Sequence, residues 1–173
     1  LSNGAYERAT MITSLFDKAR EMQIEMGCRP EKCRYITNGI HYERFCDIPL
    51  KKDNGYVDIG AVLRIAPIKD VKTMLYAFAE LKERVSNARL YVCGPEDDED
   101  YAQECYVLKE QLGLTDEEVF FTGPVNVLEY MEKFDFTLLT SISEGQPLAV
   151  LESFAAGRPC VVTDVGCCEQ LIG

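Results

Sequence analysis

From residue 57 onward the chain alternates two kinds of apolar pattern. Residues 57–65 are a mostly apolar run rich in β-branched side chains, which reads as a buried strand. Residues 70–86 then place Val71, Met74, Leu75, Phe78, Leu81 and Val85 at helical spacing. The alternation recurs, with strands predicted at 89–94, 119–123, 136–141 and 160–164 and helices at 101–112, 127–133 and 148–156. Cys105, Leu108 and Leu112 share one face of the 101–112 helix, and Gly157 closes the 148–156 helix as a C′ residue. A further helix begins after residue 164. Strands alternating with helices predict an α/β fold, a doubly wound parallel sheet covered on both faces. Ligands of such sheets bind beyond the carboxyl ends of the strands. The loops at 64–70, 94–100, 123–126, 141–147 and 164–169 are therefore where chemistry is expected.

Residues 1–56 do not follow this repeat. They predict a strand at 10–15, a helix at 17–26 and a strand at 34–37 that ends in the turn pair Asn38-Gly39. They read as the tail of another unit, joined through the polar 47–55 linker with its Pro49 and Gly55. The first residue is Leu1, not Met, so the start reads as a cut end without a signal peptide.

Charge narrows the choice of partner. The 173 residues carry 18 Lys+Arg against 29 Asp+Glu, a net charge of −11. That balance argues against a nucleic acid polymer, whose affinity comes from basic clusters, and against an anionic lipid surface. No run approaches the ~20 apolar residues of a membrane span. Eight cysteines occur without a C-x-x-C pair, and the single histidine, His41, has no cysteine at zinc-finger spacing. They read as unpaired thiols of a reducing compartment, Cys93 and Cys160 in the core, with a vicinal redox pair at Cys167-Cys168 as the alternative. One histidine leaves no expectation of a Ser-His-Asp or Cys-His centre within the chain.

Two loops carry candidate chemistry. Arg64 and Lys69 stand five residues apart between a strand and a helix. A rigid guanidinium fork and a mobile ammonium together suit a diphosphate, although a solvated pair beside a helix start is the plain alternative. The 141–147 loop contains Glu144, Gly145, Gln146 and Pro147. Gly145 permits close approach of the backbone to a ligand, Pro147 suits the first helical position, and the helix start offers N–H groups to an anion. Glu152 follows among Leu148, Ala149, Val150, Leu151, Phe154, Ala155 and Ala156. A carboxylate there is costly unless it bonds nearby backbone or receives ligand hydroxyls. The acidic 95–100 stretch reads as a solvated loop and helix start, with a divalent-cation site as the alternative. A dinucleotide fingerprint G-x-G-x-x-G is absent.

Together these residues resemble the retaining glycosyltransferases of family GT4. Glu144 and Glu152 match its E-x7-E motif, and Arg64, Pro67, Lys69 and Asp70 match its R-x-x-P-x-K-D segment. Residues 35–40 with Phe45 resemble the family's crossing into the nucleotide-binding domain, and 163–172 its Thr-Asp-Val-Gly segment. The wording of 66–70, 94–96, 101–105 and 140–144 is most similar to the PelF-like branch. The resemblance implies a Rossmann-like sheet, the C-terminal domain of a GT-B glycosyltransferase, over 49–173 and incomplete at its end. Residues 1–48 would be the tail of the N-terminal domain and the crossover. It implies that Arg64 and Lys69 hold the donor diphosphate and, with Glu144, form the catalytic set. Glu152 would bind ribose, and Glu144 with the backbone of Gly145, Gln146 and Pro147 the donor sugar and a phosphate. The backbone at Pro124 and Val125 would meet the base, and Gly94 would join the nucleotide contacts.

The implied donor is a UDP-sugar, UDP-glucose by branch, with no metal and no separate cofactor. The implied setting is bacterial exopolysaccharide synthesis in the cytoplasm, beside a membrane polysaccharide synthase complex. The glycan acceptor would bind an N-terminal domain that the chain lacks, so the chain alone is expected to show no sugar transfer. Departures are Leu63 before the arginine, Gln146-Pro147 after Glu-Gly, and Cys167-Cys168. A non-catalytic nucleotide-binding or interaction module and a nucleotide-sugar 2-epimerase-like domain are the competing readings.

Overall fold

The computed structural model describes residues 2–172. They form two compact units, each described by itself. One comprises residues 2–40, 143–148 and 164–172, the other 41–142 and 149–163.

The larger unit holds strands β3 (Val57–Val62), β4 (Ala88–Cys93), β5 (Val119–Gly123), β6 (Phe136–Leu139) and β7 (Cys160–Val162). They pair in the order β5-β4-β3-β6-β7, every pair parallel. The chain builds outward from β3 to β4 and β5, then returns to the other side of β3 for β6 and β7. The predicted doubly wound, Rossmann-like sheet is therefore present. Helix α3 (Val71–Lys82) buries Val71, Met74, Leu75 and Phe78, the stripe legible in its spacing. These side chains pack on Ile59, Ala61, Leu90 and Val92 of the central strands, with Ala102 and Cys105 of α4 (Glu99–Gln111) in the same core. Glycine at position 60 is a packing requirement, since a β-carbon there would enter the Phe134 ring.

The first predicted strand is shorter than its apolar run. Regular pairing ends at Val62, and Ile65 makes only an isolated bridge to Glu96. The following helix begins at Val71, not Asp70. Asp70 instead caps it, its Oδ1 accepting the Thr73 N–H at 3.3 Å. Likewise Asp98 caps α4 through the Tyr101 N–H, which starts that helix at Glu99.

At the amino ends of the strands the register sets Asp58 of β3 beside Arg89 of β4. The fully buried Asp58 carboxylate accepts from Arg89 Nε at 2.6 Å, from Lys51 at 2.9 Å and from Asn54 at 3.0 Å. Burial alone would raise its pKa, but the hydrogen bonds from Arg89, Lys51 and Asn54 outweigh burial and hold it at about 2.

The smaller unit pairs β1 (Ile12–Ser14) with β2 (Cys33–Tyr35) in parallel, beside α1 (Ser2–Arg8), α2 (Asp17–Glu25) and α7 (Cys168–Ile172). Helix α1 has no apolar stripe and was not legible. Lys32 supplies what its sequence lacks, donating to the carbonyls of Tyr6, Glu7 and Ala9 at 3.1, 3.0 and 2.8 Å, where the helix ends. The Cys28 and Cys33 thiols touch at 3.4 Å, and none of the eight cysteines, all among the described residues, forms a disulfide. Among the described residues no helix is long and apolar enough to cross a membrane.

Because the folded pKa of Asp58 is depressed from 3.8, its contribution to stability is present above about pH 4. It is lost as pH falls through about 2. Urea unfolding of the wild type should lose ~2 kcal/mol over that window from this group. In Asp58→Asn that acid-dependent loss should be absent.

Candidate functional site

Strand β3 is hydrogen-bonded to β4 on one edge and β6 on the other, and the chain departs in opposite directions from these neighbours. This is the topological switch point, where loops diverge and leave a crevice at the carboxyl edge. The loop after β3 carries both predicted cations. It is held on one side by residues 95–98: Ile65 N–H donates to Pro95 O at 2.8 Å, and Asp97 and Asp98 N–H donate to Ile65 O at 3.1 and 3.2 Å. On the other side it is tied to the end of β6. The Thr140 hydroxyl lies 3.2 Å from Lys69 O and 2.9 Å from Asp70 O, and Ile142 N–H donates to Ile68 O at 2.9 Å. Pro67–Lys69 form a 3₁₀ turn, and Asp70 follows in the left-handed region at φ 46, ψ 53.

Arg64 is exposed, and its guanidinium pairs with the Asp97 carboxylate. Lys69 is half-buried. The structure thus mounts both cations on one braced loop. Asp97 is a participant that sequence reasoning missed, because nothing in an acidic run signals which carboxylate will meet Arg64. Glu96 accepts from the Tyr106 hydroxyl and Asp98 caps α4, so the stretch has structural uses. Among the described residues no group of three or more His, Cys, Asp or Glu side chains is placed to hold a metal ion.

Gly94 follows β4 at φ 148, and its N–H donates to Gly123 O at 3.0 Å. A β-carbon on it would collide with the Leu63 carbonyl. Its position thus answers to the close passage of two backbones at the sheet edge. Pro124, exposed, and Val125, half-buried, follow β5 before Asn126 caps α5 (Val127–Met131).

Glu152 stands in α6 (Leu148–Ala155), beside the buried Val150 and Ser153. It is half-buried, and among the described residues its carboxylate has no hydrogen-bond partner. Burial raises its pKa, and only the charge of Arg44 opposes that. The backbone-bonded alternative for this carboxylate is therefore not what the structure adopts.

Glu144, Gly145, Gln146 and Pro147 belong to the smaller unit. There Asn38 grips the loop: its N–H donates to Gln146 Oε1 and its Nδ2 to Gln146 O at 3.1 Å. From the other end Cys167 N–H donates to Gly145 O at 3.0 Å. Gly166, at φ 62, lies so close that a β-carbon would strike the Glu144 carbonyl. Pro147 precedes the helix by one residue instead of opening it. The candidates thus divide between the units, with Arg64, Lys69, Gly94, Pro124, Val125 and Glu152 in the larger one.

The profile of the glycosyl transferases group 1 family matches residues 57–173. The chain is 30% identical to the uncharacterized glycosyltransferase MJ1607 of Methanocaldococcus jannaschii, over 96% of this chain and 45% of that protein. It is 30% identical to the N-acetyl-alpha-D-glucosaminyl L-malate synthase of Bacillus anthracis, over 80% of this chain and 36% of that protein. Among solved structures, Anabaena HepE in complex with UDP-glucose superposes with a TM-score of 0.86 at 20% identity, covering 99% of this chain and 50% of that one. The chain spans half or less of the length of each.

Substituting Gly94→Ala should cost roughly 2 kcal/mol or more, since both the backbone angle and the Leu63 carbonyl oppose a β-carbon. Thermal unfolding compared with Gly113→Ala, where the backbone angle is also left-handed but the space is open, isolates the effect of the collision.

Proposed function

Because the chain belongs to the glycosyl transferases group 1 family, we propose that it forms the donor-binding part of a retaining hexosyltransferase that uses UDP-glucose. The observation that carries this reading is Glu152, a half-buried carboxylate without a hydrogen-bond partner among the described residues, in the apolar helix that follows β6, the neighbour of the switch-point strand β3. Ribose hydroxyls would satisfy it. HepE, which has the same fold, is a complex with UDP-glucose, and the donor is assigned on that likeness together with the resemblance to the PelF-like branch.

In this reading Arg64 and Lys69 hold the diphosphate. Glu144, with the backbone of Gly145, Gln146 and Pro147, holds the sugar, Gly94 lies along the nucleotide, and Pro124 and Val125 meet the base. The bond from the sugar C1 to the diphosphate oxygen breaks, and negative charge collects on UDP. Two fixed cations stabilise that charge with little reorganisation, and no metal is invoked. A bond forms from the acceptor oxygen to C1 on the face UDP has left, and the acceptor proton passes to the departing phosphate. In the whole enzyme the acceptor is a growing glycan. The setting is exopolysaccharide synthesis in the bacterial cytoplasm beside a membrane synthase complex, with residues 49–173 as the donor domain and 1–48 as the tail of the N-terminal domain and the crossover.

Calorimetric titration with UDP, GDP and ADP tests this. UDP should bind best, and Arg64→Ala or Lys69→Ala should each weaken it by about tenfold or more, the scale of one charged hydrogen bond. Absence of binding by all three nucleotides rejects the reading. Asp97→Asn removes the carboxylate that competes for Arg64, and should tighten UDP by up to about fivefold, since exposed ion pairs are worth about 0–1 kcal/mol.

A further inference from the structure

We propose that Thr140 is a positioning residue that fixes the direction in which Lys69 leaves the backbone, and so its aim at the donor diphosphate. The inference rests on the donor-binding reading above and gives a role to Thr140, to which the resemblance assigns none. Thr140 directly follows β6, a strand paired on both edges, and is buried. Its hydroxyl faces two consecutive carbonyl oxygens, Lys69 O at 3.2 Å and Asp70 O at 2.9 Å. A single proton shared between two acceptors marks both peptide planes at once.

Those planes are the ones that matter. Asp70 is the one non-glycine residue with positive φ among those described, and a left-handed side-chain-bearing residue persists only where its surroundings enforce it. The turn at Asp70 redirects the chain from the 3₁₀ turn into α3, and Lys69 is the last residue before it. Relaxation of Asp70 to a right-handed angle would rotate the peptide plane that carries the Lys69 carbonyl. The Asp70 cap to Thr73 N–H and the Asp70 N–H to Pro67 O at 3.1 Å act within the loop. They cannot orient the loop against the sheet. Thr140 does so with its side chain, and Ile142 N–H does so through the main chain, at Ile68 O.

The test compares Thr140→Val, which keeps the shape and removes the hydroxyl, with Thr140→Ser, which keeps the hydroxyl. Affinities for UDP and for uridine are measured on the wild type, both variants, Lys69→Ala and the Thr140→Val/Lys69→Ala double variant. A residue that acts through Lys69 gives Thr140→Val about tenfold weaker UDP binding with uridine unchanged. It gives Thr140→Ser within about twofold of wild type, and a double variant no weaker than Lys69→Ala. Equal losses for UDP and uridine, an additive double variant, or wild-type UDP affinity in Thr140→Val each overturn the proposal while the donor-binding reading stands. A wild-type chain that binds no nucleotide overturns both. Uridine affinity and far-ultraviolet circular dichroism monitor folding throughout.

Discussion

The larger unit depends on β3 being paired on both edges and packed on both faces. A strand in that position has no solvent to hide an error. Its side chains must be small, apolar or fully compensated, and each residue shows which. Ile59 and Ala61 fill the core, and Gly60 yields its side-chain space to the Phe134 ring. Asp58 is tolerated because the parallel register sets Arg89 beside it and Lys51 closes over it. The same double pairing makes β3 the strand from which the chain winds both ways. The constraint that builds the core therefore also makes its carboxyl end the topological switch point, where parallel sheets of this kind bind ligands.

The two ends of β3 use one chemistry for opposite purposes. At the amino end the Asp58 side chain is 1% exposed in its pair with Arg89. Removing either partner would strand a buried charge, so that pair is fixed architecture. At the carboxyl end Arg64 and Asp97 are 58% and 45% exposed. Water screens that pair, and its loss costs little. An incoming diphosphate, with more charge than one carboxylate, can take the guanidinium from Asp97 at small expense. Burial, not the identity of the pair, decides which one is structural and which is exchangeable. Under the proposed reading it also reconciles a chain of net charge −11 with an anionic donor, since Arg64 sits on a braced loop and keeps a replaceable partner.

What was legible in the sequence was what repeats. The strands of the sheet, the α3 stripe and the loop carrying Arg64 and Lys69 all follow from periodicity and from the rule for parallel sheets. What was not legible depends on partners distant in the chain. Helix α1 ends on Lys32, which reaches back 23 to 26 residues. Arg64 meets Asp97 33 residues on, and Asp58 meets Arg89 through a register that no local pattern sets. The left-handed Asp70 was read as the start of a helix, because aspartate is equally at home as a first-turn acid and as a cap. The Thr140 hydroxyl meets carbonyls 71 and 70 residues earlier in the chain, a contact that no local pattern signals.

Glu152 gives the strongest physical reason to look for a ligand. A carboxylate half-buried in an apolar helix loses hydration, and among the described residues none donates a hydrogen bond to it. Its raised pKa is the same cost expressed as proton affinity. Asp58 shows that this protein satisfies a buried carboxylate thoroughly where structure is the purpose, with three donors around one side chain. A leucine at 152 would have much the same helix propensity without the desolvation cost. A partly desolvated carboxylate that remains open to donors is what the proposed function would use, with donors that arrive with a substrate. In the proposed donor-binding reading, the vicinal hydroxyls of a ribose would supply them.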